Sequence, residues 1–217
     1  MMPSPLPRVY LVTDPAAGQL PSRVAAALRG LPPGAVGVQL RAKDMEGRDL
    51  LELARALRQA TAEAGQVLLV NDRLDVAALA GADGIHLPSL GIPPEEARRV
   101  LGTRAIVGVS CHSFDEVRRA RDGGADYAHF GPVFETPSKR AYGPPVGIDR
   151  LRQAASLGLP LVGLGGVEPG NAQAVVSAGA FGVGAIRAWT AASDPAATVL
   201  ALLAAVLGAS PRAPERR

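Results

Sequence analysis

The chain has 217 residues, 47% of them hydrophobic, 20% charged and 4% aromatic, with a formal net charge of +3 at pH 7. That balance suits one packed, soluble domain; the apolar runs are too short and too glycine-broken to span a bilayer, and scarce aromatics with dispersed arginines exclude a base-stacking nucleic-acid binder. The lone Cys111 excludes an internal disulfide framework, and Met1 to Pro7 has neither the basic nor the apolar run of a secretory signal, so a cytoplasmic location is expected.

Short apolar or β-branched runs recur along the chain: Val9 to Thr13, Ala35 to Arg41, Val67 to Asn71, Gly84 to Leu87, Ala105 to Ser110, Tyr127 to Gly131, Leu161 to Leu164 and Phe181 to Ile186. Most lack strict alternation, as expected of parallel strands buried on both faces. Helical patterns lie between them. Arg48 to Ala64 carries the stripe Leu50, Leu53, Ala54 and Leu57 and stops at Gly65; Pro94-Glu95-Glu96 reads as a first turn; Ser113 and Glu116 have capping-box spacing; Asp194-Pro195 opens the last helix. A weak repeat, Gly81-Ala82-Asp83, Gly124-Ala125-Asp126 and Gly179-Ala180-Phe181, reads each time as helix stop, small residue, then strand. Eight strands with seven intervening helices and a closing one predict an α/β fold, a single (β/α)₈ TIM barrel over residues 1–208; a doubly wound open sheet produces similar local signals. The Pro- and Arg-rich stretch 209–217 is expected to be a disordered tail.

In such a barrel the site lies where strands end, and these ends are polar. Gln39, Arg41 and Lys43 close the second strand and suit a phosphate or diphosphate, or else a salt bridge with Asp44 or Glu46. Asn71 and Asp72 close the third; Asp72 is either a Mg²⁺ ligand or the N-cap of the next helix. After the sixth strand, the loop through Thr136, Ser138 and Lys139 is either a lid over substrate or an inert surface loop. Gly165-Gly166 after the seventh strand and Gly184, Ala185, Ile186 and Arg187 at the eighth offer backbone N–H groups to a phosphate. His86 and His129 read as hydrogen-bonded core residues, His112 stays open, Cys111 reads as packing, and no spacing suggests zinc.

In order along the chain, Tyr10-Leu11-Val12-Thr13-Asp14, Gln39-Leu40-Arg41-Ala42-Lys43, Asn71-Asp72, Asp83-Gly84-Ile85-His86-Leu87, Gly131-Pro132-Val133-Phe134-Glu135-Thr136 with Ser138-Lys139, and Gly165-Gly166 resemble the thiamine phosphate synthase and thiazole tautomerase (TenI) family. The resemblance implies thiamin biosynthesis: a transferase coupling an aminopyrimidine diphosphate to a thiazole phosphate, or the tautomerase reaction on the thiazole phosphate carboxylate, or a non-catalytic thiazole-phosphate binder. It implies that Gln39, Arg41, Lys43 and Asn71 contact the diphosphate, that Asp72 holds Mg²⁺, and that Ser110, Thr136, Ser138 and Lys139 complete the site. Gly166 and the eighth-strand loop would take the thiazole phosphate. Arg41, Lys43 and Lys139 are the expected catalytic cations.

Three positions depart from the family pattern. His86-Leu87-Pro88-Ser89-Leu90-Gly91 has Gly91 where synthases carry a second Mg²⁺ carboxylate, Pro132 stands where tautomerases carry a catalytic His, and Arg187 replaces a small residue of the phosphate loop. The retained second- and third-strand set favours synthase chemistry. Phosphorylated small molecules are the expected partners, with nucleic acid and membrane excluded; monomer or homo-oligomer is left open.

Overall fold

The structure, a computed structural model, describes residues 6–136 and 144–208. The expected tail at 209–217 lies outside the described residues, as do Ser138 and Lys139. The chain alternates strand and helix: β1 (Val9–Val12), α1 (Leu20–Ala27), β2 (Val36–Leu40), α2 (Gly47–Glu63), β3 (Val67–Asn71), α3 (Leu74–Ala80), β4 (Gly84–Leu87), α4 (Pro94–Leu101), β5 (Ile106–Cys111) and α5 (Phe114–Asp122). Then follow β6 (Tyr127–Phe130), α6 (Gly147–Ala155), β7 (Leu161–Leu164), α7 (Pro169–Ser177), β8 (Gly182–Ala185), α8 (Arg187–Thr190) and α9 (Pro195–Gly208).

Each strand pairs in parallel with its sequence neighbours, and β8 pairs with β1, Val9 opposite Val183 and Leu11 opposite Ala185. That closure removes the open sheet as an alternative and leaves no unpaired edge. A short 3-10 turn at Pro15–Ala17 and one helix go beyond the sequence reading. The single helix expected after the last strand is preceded by a short extra one, α8, pinned by the fully buried Trp189, whose indole Nε1–H donates to Val12 O at 3.1 Å.

Two apolar cores follow from the strand faces. One lies between the barrel and its helices, where Leu50, Ala54 and Leu57 of α2 and Val199, Leu202 and Val206 of α9 are buried; α9 packs between α1 and α7. The other, inside the barrel, holds Tyr10, Val67, Leu69, Ile106, Tyr127 and Val162. Gly108 makes room for it, since a Cβ there would lie 2.2 to 2.4 Å from Tyr127 ring atoms. The capping box at Ser113 and Glu116 forms, with Glu116 N–H donating to Ser113 Oγ at 3.2 Å.

The weak repeat acquires a physical meaning at the N-terminal edge of the barrel. Asp83 Oδ2 accepts from Leu68 N at 2.8 Å and Asp126 Oδ2 accepts from Val107 N at 2.8 Å, so each carboxylate satisfies a strand amide. Arg58 of α2 pairs with Asp83 at 3.4 Å and donates to Gly81 O at 2.8 Å; Arg98 of α4 pairs with Asp126 at 2.9 Å and donates to Gly124 O at 3.1 Å. The third copy has Phe181 instead, and its ring takes the Arg8 guanidinium at 4.6 Å.

Candidate functional site

At the opposite, C-terminal end the inward positions turn polar. Alternation along β2 carries Gln39 into the barrel, 2% exposed, where Nε2 donates to Asn71 Oδ1 at 3.0 Å and Oε1 is buried without a partner. Arg41 follows at the strand exit. Its backbone N–H donates to Thr13 Oγ1 at 2.9 Å, and Thr13 N–H donates to Gln39 O at 2.9 Å, so the ends of β1 and β2 are locked together. The Arg41 guanidinium is half-buried and the Lys43 ammonium exposed, and neither has an ion-pair partner among the described residues. The salt-bridge reading with Asp44 or Glu46 therefore does not hold.

Asp72 stands one residue past β3 in the left-handed region, with φ at 65°, and its N–H donates to His86 O at 2.9 Å. It does not cap α3; Arg73 occupies that position and pairs with Asp75 at 2.7 Å. The N-cap alternative is thus corrected. A non-glycine residue with positive φ is uncommon, although Asp is among those that tolerate it, and here it holds an exposed residue at the barrel mouth whose carboxylate has no ion-pair partner among the described residues.

On β4 to β6 a second polar group lies deeper. His86 is 1% exposed, with Nδ1 2.9 Å from Tyr127 Oη and Nε2 2.9 Å from Ser110 Oγ. The His129 ring lies 4.2 Å from that of His86 and its Nε2 is buried without a partner. Burial holds both imidazoles neutral: His129 is pushed down to about 3, and His86 is held well below its ordinary value by burial and by neighbouring His129. Burial likewise pushes the Tyr10 and Tyr127 hydroxyls well above theirs. Cys111 is fully buried and its thiol is pushed up to about 12 by burial, so it is packing and not a nucleophile. His112 is exposed, with Nδ1 2.7 Å from Gly131 O.

The ends of β6, β7 and β8 form the remaining side. Val133 N–H donates to Leu164 O and Phe134 N–H to Gly165 O, both at 2.9 Å, which lays the β6 loop over the Gly165-Gly166 turn. Both glycines have positive φ, 96° and 66°; a Cβ on Gly165 would lie 2.6 Å from Pro132 Cα, and one on Gly166 2.7 Å from Phe134 Cβ. The glycines are therefore required by loop-on-loop packing as well as by any phosphate. Asn171 Nδ2 donates to Gly166 O at 2.9 Å and braces the turn. Gly184, Ala185 and Ile186 run next to it, β7 pairing with β8, and Arg187 opens α8 with its side chain exposed. Thr136 is described and half-buried.

Among the described residues no group of three His, Cys, Asp or Glu side chains could cage a metal ion. Gly91 closes a turn in which its N–H donates to Pro88 O at 3.0 Å, and a Cβ there would lie 2.8 Å from Pro88 Cδ, so Pro88 leaves no space for a side chain at that position. Asp72, exposed at the mouth one residue past β3, is a hard oxygen donor that fits Mg²⁺ brought in on a diphosphate, since that ion takes one or two carboxylates and fills its octahedron with phosphate oxygens and water.

The thiamine monophosphate synthase family matches residues 9–189 of this chain. The chain belongs to that family. Thiamine-phosphate synthase from a Roseiflexus species is 45% identical over 205 residues, covering 93% of this chain and 86% of its own. Thiamine-phosphate synthase from Natronomonas pharaonis is 45% identical over 209 residues, covering 94% and 96%. Among solved structures, thiamine phosphate pyrophosphorylase from Pyrococcus furiosus superposes with a TM-score of 0.83 at 32% identity, covering 93% of this chain and 96% of that one. The family's barrel places Gln39, Asn71, Arg41, Lys43 and Asp72 in one sector of this mouth and Ser110, the Gly165-Gly166 turn and the β8 loop around the rest. Three participants went unread in the sequence: Thr13, Trp189 and the Tyr127–His86–Ser110 chain. Thr13 had a signal, because alternation from Leu11 sets it at a strand exit, but its partner is 28 residues away.

Proposed function

We propose that this protein is a thiamine-phosphate synthase, a transferase that couples an aminopyrimidine diphosphate to a thiazole phosphate and releases diphosphate. The observation that carries the reading is the pair Arg41 and Lys43, held at the β2 exit without carboxylate partners beside the unpaired Asp72. The bond from the pyrimidine methyl carbon to the diphosphate oxygen breaks, the electron pair leaves with the diphosphate, and the thiazole nitrogen captures the cationic carbon. No covalent enzyme intermediate is needed.

In this reading Arg41 and Lys43 face the charge that grows on the leaving group, and Gln39 and Asn71, fixed to one another, contact the same diphosphate and orient it. Lys139 would add a third cation, and Thr136 and Ser138 would complete the site. Asp72 would hold Mg²⁺, which supplies further neutralisation of the diphosphate when bound. The thiazole phosphate sits on backbone N–H groups of Gly165-Gly166 and Gly184 to Arg187, where Arg187 adds charge. Residues 1–208 are the catalytic unit. Pro132, where a tautomerase needs its histidine, speaks against tautomerisation. The test is turnover of purified protein with aminopyrimidine diphosphate and each thiazole phosphate form, with and without Mg²⁺. Thiamine phosphate and diphosphate are expected in equal amounts; turnover of the thiazole phosphate carboxylate alone would establish the tautomerase instead.

A further inference from the structure

His86 has no part in the chemistry above, yet it joins a fully buried hydroxyl to one at the barrel mouth. Tyr127 Oη touches it at Nδ1 and Ser110 Oγ at Nε2, both at 2.9 Å. The imidazole is buried and each of its nitrogens meets a neutral hydroxyl, so one nitrogen carries a proton and the other accepts. The two tautomers have opposite consequences. If Nδ1 bears the proton, it donates to Tyr127, and the proton of that fully buried hydroxyl has no acceptor among the described residues. Ser110 would then have to donate inward to Nε2. If Nε2 bears the proton, Tyr127 donates to Nδ1, Nε2 donates to Ser110, and both buried protons of this chain are satisfied; leaving the Tyr127 proton unpaired is the costlier arrangement.

We infer that His86 is a positioning residue, an Nε2–H imidazole fixed by Tyr127 that donates to Ser110 Oγ and so leaves the Ser110 hydroxyl proton free to donate to the ligand. Ser110 is half-buried at the mouth, and the assignment rests on its place in the synthase site proposed above. It leaves the Ser110 hydroxyl with its proton unspent and one of its two lone pairs occupied, which suits it to a diphosphate oxygen or a ring nitrogen. The surroundings hold this geometry. His129 lies 4.2 Å away at 34° and fixes the plane of His86, and Gly108, with no Cβ, seats the Tyr127 ring.

Nitrogen-15 NMR of the histidine-labelled free protein tests the tautomer without any turnover. The expected pattern near pH 7 is a neutral Nε2–H imidazole for His86, and Tyr127→Phe should let the Nδ1–H form appear. A wild-type Nδ1–H pattern overturns the assignment. In the synthase assay, His86→Ala and Ser110→Ala should each lower kcat/KM by about tenfold or more, and the double variant by no more than about twofold beyond the worse single. His86→Gln, whose amide can still donate to Ser110, should recover most of the loss. Multiplying losses, or no recovery with Gln, would show a merely structural His86. Absence of synthase turnover in the wild type sinks the function proposed above, whereas the tautomer is read on the free protein and stands or falls separately.

Discussion

The two ends of the barrel use charge in opposite ways. At the N-terminal edge Asp83 and Asp126 are saturated: each takes a strand amide and an arginine, and each arginine also holds a backbone carbonyl. At the C-terminal mouth Arg41, Lys43, Asp72 and Arg187 have no ion-pair partner among the described residues. Charges at the first end hold the fold and can do nothing else. Charges at the second are held by backbone geometry, Thr13 for Arg41 and a left-handed turn for Asp72, so that their heads remain available.

The largest expected effect lies at the mouth. Lys43→Ala should lower kcat/KM by about 10²-fold or more, the scale of losing one electrostatic stabiliser, and leave the melting temperature within about a degree because the ammonium touches nothing that folding needs. A synthase activity indifferent to Lys43 would place the diphosphate on another strand.

Between the two ends the buried histidines set the pH response. His129 is held at about 3 and His86 well below its ordinary value, so the unfolded chain binds protons below about pH 6.5 that the folded one refuses. Stability is therefore full above that pH and falls as pH drops through the window below it. From pH 7.5 to 5.5 His129 should cost about 1 kcal/mol in denaturant unfolding, with His86 adding in the same direction, and His129→Gln should remove the His129 share of the slope. A flat profile would mean that the barrel interior admits water.

Asp126→Ala should do the reverse of Lys43→Ala. It leaves the buried Val107 N–H without an acceptor and Arg98 without its partner, a loss of about 2 kcal/mol in unfolding free energy, with kcat/KM of the folded protein unchanged. Thr13→Val joins the two ends of the comparison. It keeps the shape but removes the acceptor for Arg41 N–H, and kcat/KM should fall by about tenfold with a modest drop in stability.

How much of this was legible depended on range along the chain. Strand limits came out within two residues because buried apolar runs are punctuated by glycine and by polar exits, and the Ser113–Glu116 box needs only a three-residue spacing. The carboxylates of the repeat showed as a pattern without a purpose, since Arg58 and Arg98 reach them from 25 and 28 residues away. Ser110 could be named as a strand exit, but its link to His86 spans 24 residues and depends on barrel register. Gly165-Gly166 was read for phosphate alone, because nothing local reveals that Pro132 and Phe134 press against them. Asp72 stayed open between a cap and a Mg²⁺ ligand for the opposite reason: Asp before a helix is a common N-cap signal, and only the backbone angle shows that it turns away.

Asp72 gives the smallest stability effect and the sharpest division between the ends. Its left-handed backbone suits glycine, so Asp72→Gly relieves local strain while giving the unfolded chain more freedom, and the two nearly cancel within about 1 kcal/mol. Asp72→Ala forces a Cβ into the same conformation and should cost about 1 kcal/mol more than the glycine variant. Both remove the carboxylate. The Mg²⁺ concentration for half-maximal turnover should therefore rise by about tenfold in each, whatever their stabilities. A magnesium titration beside thermal melts separates backbone from charge. If Asp72→Gly instead melts several degrees lower, its carboxylate serves the fold as Asp83 does, and the unpaired charge at the mouth belongs to Arg41, Lys43 and Arg187.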